Sequence, residues 1–202
     1  LGYFSVLVDP KIIRLDDNRI NLVYEIVEGQ EAKIKKINFI GNKNFSDSTL
    51  RDVIYSEETR WYKFWGGSDK FDQDRLNYDK DILKKYYFDN GYIDFRILST
   101  SSQLISSSKN FILNFKIFEG NRYKISDVSV RSNIKGFKNI NINKLVDIEN
   151  NDWFSSKDVE KTMDNIIEKA SEYGFAFVDV RPKLKKEKNN VSIVFDVIEG
   201  NK

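Results

Sequence analysis

One phrase recurs three times in this chain and fixes most of what it can fold into. It reads INLVYEIVEG at 20–29, FILNFKIFEG at 111–120 and VSIVFDVIEG at 191–200. Aligned on the closing glycines Gly29, Gly120 and Gly200, the apolar positions superpose. Ile20, Phe111 and Val191 match, as do Leu22, Leu113 and Ile193, then Tyr24, Phe115 and Phe195, then Ile26, Ile117 and Val197. Alternation with period two is the pattern of a strand that buries one face. Upstream of each copy lies a second phrase: GYFSVLV from Gly2, GYIDFRI from Gly91 and GFAFVDV from Gly174. Glycine followed by an aromatic residue and then alternating apolar positions reads as a helix end feeding a strand.

A helix precedes the second and third of these glycines. Val159, Met163, Ile166, Ile167 and Ala170 lie on one helical face, with Ser155 or Ser156 as N-cap and Asp158 in the first turn. Leu76, Leu83 and Tyr87 hold the matching places in the middle copy, with Tyr86 beside them. Each complete copy opens with a strand, KIKKINFIGN at 33–42 and KISDVSVRSN at 124–133. In these strands Ile34, Ile37 and Phe39 match Ile125, Val128 and Val130. A shorter helix follows, from Ser46 to about Tyr55 in one copy and around Asn141–Ile148 in the other.

The repeat is therefore β-α-α-β-β and about 80–90 residues long. The fold class is α+β, with a three-stranded mixed sheet covered by two helices in each complete copy. The expected domains are 31–120 and 121–202, preceded by a hairpin at 1–30 that closes an earlier, truncated copy. A lone hairpin is marginal in water, so it is expected to lean on the first full repeat. Beginning at Leu1 without Met, the chain reads as a piece of a longer protein. The hairpin tips Leu15–Arg19, Ser99–Asn110 and Lys185–Asn190 are polar, and the Ser-rich stretch 99–109 is expected to be mobile.

Composition narrows the function. The 202 residues contain no His and no Cys. That removes Ser-His-Asp and Cys-His nucleophiles, thiol redox chemistry and the usual zinc, haem and iron–sulfur sites. Lys plus Arg is 33 against 31 Asp plus Glu, a balance that gives no footing on nucleic-acid phosphates. No apolar run approaches the roughly 18 residues of a membrane-spanning helix. No cofactor and no metal are expected. The acidic group Asp72, Asp74, Asp79 and Asp81 lacks the glycine and terminal Glu of a calcium loop and reads as a solvated helix face among Arg75, Lys80, Lys84 and Lys85. The run Lys183–Lys188 reads as a solvated turn. The aromatic loop with Trp61, Tyr62, Phe64 and Trp65 ahead of Gly66 and Gly67 reads as packing on its own repeat rather than on a partner or membrane. Trp153 and Phe154, just before the second helix of the last copy, favour the same structural role.

The unit resembles the POTRA (polypeptide transport-associated) domain. INFIGNKNFSDSTL at 37–50, WYKFWGG at 61–67 and KKYYFDNGYIDF at 84–95 carry the resemblance to the third such domain of outer-membrane assembly proteins. EKASEYGFAFVDVRP at 168–182 and VSIVFDVIEGN at 191–201 carry it to the fourth, and the first 30 residues resemble the tail of the second. The resemblance implies a non-enzymatic periplasmic portion of a Gram-negative outer-membrane protein, anchored by a C-terminal barrel. It implies unfolded outer-membrane proteins, accessory lipoproteins and periplasmic chaperones as partners. It also implies strand order 1-3-2, with the second strand outermost, at Tyr92–Ser99 and Phe175–Arg181.

An unpaired edge binds extended chains through backbone hydrogen bonds whatever their sequence. The candidate binding residues are Tyr92, Ile93, Asp94, Phe95, Arg96 and Ile97 in the middle repeat, with Phe175, Phe177 and Asp179 in the last. Pro182 removes one donor from the latter edge. The accessory-protein surface carried over from the family falls on Tyr55, Ser56 and Glu57, where Ser and Glu stand in place of an apolar-basic pair. Gly29 and Gln30, with Gly120 and Asn121, are the expected interdomain hinges. Two other readings stay open. One is a POTRA module of a secretion transporter or a cell-division complex. The other is an enzyme, which would need convergent carboxylates in a pocket.

Overall fold

The computed structural model describes residues 6–16, 19–28, 32–60, 68–108, 110–137 and 146–200. The elements run β1 (Leu7–Arg14), β2 (Ile20–Val27), β3 (Ile34–Ile40), α1 (Asp47–Val53), α2 (Gln73–Asp89), β4 (Arg96–Ile105), β5 (Asn110–Phe118), β6 (Lys124–Ser132), α3 (Ser156–Glu172), β7 (Val178–Glu187) and β8 (Asn190–Glu199). They build a two-stranded sheet β1-β2 and two three-stranded sheets ordered β3-β5-β4 and β6-β8-β7. β5 runs parallel to β3; β8 runs parallel to β6 and antiparallel to β7. The three-stranded mixed sheet read from the sequence is thus present twice, with the first strand paired to the third; among the described residues the first copy carries two helices and the second carries one. Both first strands carry a bulge at the same place, between Ile34 and Lys36 and between Ile125 and Asp127.

Alternation decides the cores. Phe111, Leu113, Phe115 and Ile117 are buried on β5, and Val191, Ile193, Phe195 and Val197 on β8. Each such side chain contributes about 1.5–3 kcal/mol of burial. Ser46 caps α1 by accepting from the Thr49 N–H at 3.1 Å, and Ser155 caps α3 by accepting from the Asp158 N–H at 3.2 Å. The inward face of α3 is Val159, Thr162, Ile166 and Ala170, whereas Ile167 is exposed. The apolar stripe counted Ile167 in and missed Thr162.

The chain divides into two compact units. One comprises Leu1–Leu83 with Ile97–Ile117, the other Lys84–Arg96 with Phe118–Lys202. In the first, Ile34, Ile37, Phe39, Leu50, Ile54, Leu76 and Leu83 join the β5 face as buried residues, and Phe39 stacks on Phe115 at 5.3 Å. The core of the second includes Tyr123, Ile125, Phe137, Phe154, Ile166, Val180 and the β8 face.

Four expectations are corrected. Every residue of β1 and β2 is exposed, including Ile20, Leu22, Tyr24 and Ile26, so among the described residues nothing buries the hairpin. The helices that bury the same face of β5 and β8 have no counterpart over this hairpin among the described residues. The Ser-rich stretch is strand as far as Ile105, held by pairing and closed by a turn at 106–108. Lys183–Glu187 is strand rather than turn. Asp79 is fully buried, whereas Asp74 and Asp81 are exposed. The second short helix, expected at 141–148, falls mostly outside the described residues, and 146–148 is irregular. The aromatic loop at 61–67 also lies outside them.

Candidate functional site: open and sealed sheet edges

Each sheet has two outer strands, and the structure treats them differently. The outer side of β3 is sealed by its own chain. The Ile34 N–H donates to the Asp69 carbonyl at 2.7 Å, and the Ile34 carbonyl accepts from the Thr59 N–H at 2.8 Å. Farther along, the Ile37 N–H donates to Glu58 Oε1 at 2.9 Å, and Arg51 Nη1 donates to the Ile37 carbonyl at 3.1 Å. The start of β6 is sealed in the same way. The Ile125 N–H donates to the Asp152 carbonyl at 2.8 Å, and the Asn151 N–H donates back to the Ile125 carbonyl at 2.8 Å. The bulge in each first strand sits beside this seal.

β4 and β7 are the opposite case. Both are outermost in their sheets. Among the described residues, no backbone hydrogen bond reaches the outer side of either strand from another element. Unpaired N–H and C=O groups there are a template for a further strand.

The structure moves the start of both edges. Tyr92, Ile93, Asp94 and Phe95 are not strand residues, and β4 begins only at Arg96. Gly91, at φ +93°, ends the helix, and the Tyr92 N–H donates to the Tyr87 carbonyl at 2.9 Å. Tyr92 and Phe95 are buried because their rings pack on Tyr87, Phe95 lying nearly parallel at 4.0 Å. Only Arg96 and Ile97 of the six candidates lie on β4. In the last repeat Phe175 and Phe177 precede β7, and Asp179 is its second residue. Phe177 is exposed and Phe175 packs edge-on against Phe137.

The candidate hinge at Gly120 and Asn121 sits in a stitched segment of the second unit. Tyr87 Oη donates to Glu119 Oε1 at 2.9 Å, and both groups are buried. Tyr123 Oη donates to Asp94 Oδ2 at 2.6 Å, and Lys186 Nζ donates to the other oxygen of the same carboxylate. The Tyr123 N–H donates to the Gly91 carbonyl, and Arg122 Nε to the Asn90 carbonyl, each at 2.9 Å. Burial, reinforced by Glu119, pushes the Tyr87 hydroxyl far above its ordinary range. The Lys186 hydrogen bond, with that from Tyr123, holds Asp94 below the ordinary carboxylate value. Asp94, read from sequence as an edge residue, is instead a latch. Gly29 and Gln30 lie outside the described residues.

At the expected accessory surface, Tyr55 is exposed, Ser56 is buried and Glu57 is half-buried. Asp79 fixes this segment: its Oδ1 accepts from the Tyr55 N–H at 2.8 Å and the Ser56 N–H at 3.2 Å. Arg75 lies over the Tyr55 ring at 5.4 Å. A cleft beside it is lined by Arg51, Ser56, Glu57, Glu58 and Arg60. Sequence reasoning missed Asp79, yet its spacing with Leu76 and Leu83 places it on the buried stripe of α2. Arg51 and Glu58 were missed too, and no periodicity marks an edge seal.

The POTRA family model, described as surface antigen variable number repeat, matches residues 32–120 and 123–200. The chain is similar to outer membrane protein assembly factor BamA of Neisseria meningitidis serogroup B, 26% identical over 203 residues, covering 100% of this chain and 26% of that protein. It is equally similar to BamA of Neorickettsia risticii, 26% identical over 196 residues, covering 96% and 26%. It thus spans about a quarter of the length of these curated relatives. Among solved structures it resembles the crystal structure of Haemophilus influenzae BamA POTRA3-5, with a TM-score of 0.71 and 25% identity, covering 84% of this chain and 67% of that one. With both complete repeats matched and their 1-3-2 sheets in place, the chain belongs to the POTRA family.

Proposed function

We propose that this chain is a periplasmic part of an outer-membrane protein that assembles other β-barrels, and that it receives their unfolded strands on the open edge of β4. One observation carries the reading: the first strand of the sheet is sealed by Arg51, Glu58 and the Asp69 region, while β4 offers a free edge. The relatives that are named as outer-membrane assembly factors support it. Backbone pairing accepts many sequences, which suits a receiver of diverse barrel strands. In this reading the work is holding and handing over rather than bond-making. Accessory lipoproteins dock at Tyr55 and its flanking cleft, and periplasmic chaperones deliver the client.

The test is a titration of the isotopically labelled protein with uncharged peptides that alternate apolar residues with Thr. Amide shifts should concentrate in residues 96–105. Methylating alternate peptide nitrogens along one edge should abolish them. Shifts elsewhere, or equal binding by the methylated peptide, would sink the proposal.

A further inference from the structure

The two open edges differ in charge. β4 carries Arg96 at its start and no other charged residue through Ile105. β7 carries Arg181, Lys183, Lys185 and Lys186 against Asp179 and Glu187, and its turn adds Lys188. Every residue from Arg181 to Glu187 is exposed. Alternation puts Val180 into the core, so Arg181, Lys183 and Lys185 lie together on the sheet face turned away from it.

The internal partners of these cations hold them loosely. Arg181 meets Asp179 at 2.7 Å with the two side chains 66% and 43% exposed. Lys183 reaches Asp196 while itself 72% exposed. Exposed pairs of this kind contribute little and exchange readily. Lys185 makes no ion pair among the described residues.

We infer that the outer edge of β7 docks acidic extended segments, in which Asp or Glu alternates with apolar residues. The inference rests on the reading of open edges as strand acceptors and adds the class of strand this one takes. A segment laid beside β7 brings every second side chain opposite Arg181, Lys183 and Lys185. Opposite charges directly across a sheet contribute about 0.2–1 kcal/mol each. The intervening apolar side chains come beside Pro182 and the exposed Leu184. Pro182 has no N–H, so one rung is missing and backbone pairing alone grips less than on β4. Charge then decides which strands stay. The same lysines repel a second copy of this edge, as basic residues and proline do on edges that must not self-pair.

Three peptides of one apolar pattern, alternating with Glu, Thr or Lys, separate the outcomes. The Glu peptide should shift amides at 181–187 and bind about tenfold tighter than the Lys peptide at low salt, a margin that shrinks several-fold in about 0.5 M salt. Joint replacement Lys183→Glu and Lys185→Glu should invert the preference, and a preserved spectrum elsewhere checks the fold. No preference, no inversion, or binding of β7 to anionic vesicles but not to the Glu peptide would overturn the inference. Thr-peptide shifts at 96–105 test the strand-acceptor reading, and the Glu-against-Lys difference at 181–187 tests the charge preference, so the two failures are told apart.

Discussion

The Glu-Gly phrase closes both complete repeats, yet its two copies live in different surroundings. Glu119 is buried and bonded by Tyr87; Glu199 is exposed, and the helix position matching Tyr87 is Ala170. A Cβ on Gly120 would stand 2.5 Å from that of Asp94, whereas one on Gly200 would meet nothing nearer than the Phe177 carbonyl carbon at 3.5 Å. The Gly-aromatic phrase divides likewise. Gly91 is crowded by Arg122, Tyr123 and Phe154, while Gly174 has nothing within 4 Å. The Gly-aromatic phrase therefore specifies the same left-handed turn twice, whereas the Glu-Gly phrase places only Gly120 there, at φ +72°; the residues that pack beside each turn determine whether it also becomes a joint.

The largest effect should separate the two closing glycines. Gly120→Ala combines φ +72° with a clash against Asp94 and should cost about 2–4 kcal/mol in urea unfolding. Gly200→Ala should cost less than about 1 kcal/mol. Equal losses would break the comparison. Next comes the glutamate pair. Tyr87→Phe leaves the Glu119 carboxylate buried without its hydroxyl donor and should cost about 1–3 kcal/mol. Glu199→Gln, at an exposed site, should stay within about 0.5 kcal/mol. Smaller again is the contrast between helix ends. Gly91 and Gly174 have φ of +93° and +88°, so alanine at either should cost about 1 kcal/mol. Gly91→Ala adds a 3.1 Å approach to the flexible Arg122 Cγ, so the two losses should differ by less than about 1 kcal/mol.

Alternation and caps made the fold readable. The four buried positions of β5 and of β8, a helix starting at Ser46 and a cap at Ser155 or Ser156 are legible in the sequence, and the outermost place of the second strand is implied by the family resemblance. What escaped depends on tertiary neighbours. Tyr92 to Phe95 alternate like a strand, but the Tyr92 and Phe95 rings have Tyr87 to pack on, and burying them there holds the backbone in a turn. The β1-β2 hairpin has the same apolar pattern as β5 and β8, and period two reports a face fit for burial without reporting what covers it. Asp79 was judged by its charged neighbours in sequence, although its helical spacing from Leu76 and Leu83 pointed inward. Arg51 and Glu58 seal an edge through contacts that leave no periodic trace. The candidate strand-accepting site was thus legible as an edge, but not in its length, its seals or its charge.

The finest test of the joint concerns Asp94, whose counterpart after Gly174 is the exposed Phe177. Lys186 and Tyr123 both donate to the Asp94 carboxylate and hold its pKa below the ordinary 3.8. Folding therefore favours the ionised form. That contribution is complete above the ordinary value and is lost as the pH falls through the lowered one. Asp94→Asn should accordingly be less stable than the parent near neutral pH by about 1 kcal/mol, discounted because the pair is partly exposed. The gap should close on acidification below 3.8, as the parent loses the same charge. Urea midpoints collected along a pH series read this directly. A gap that stays constant down to about pH 2 would show that Asp94 holds the turn by shape rather than charge. The joint would then rest on Gly120 and the buried Tyr87–Glu119 bond.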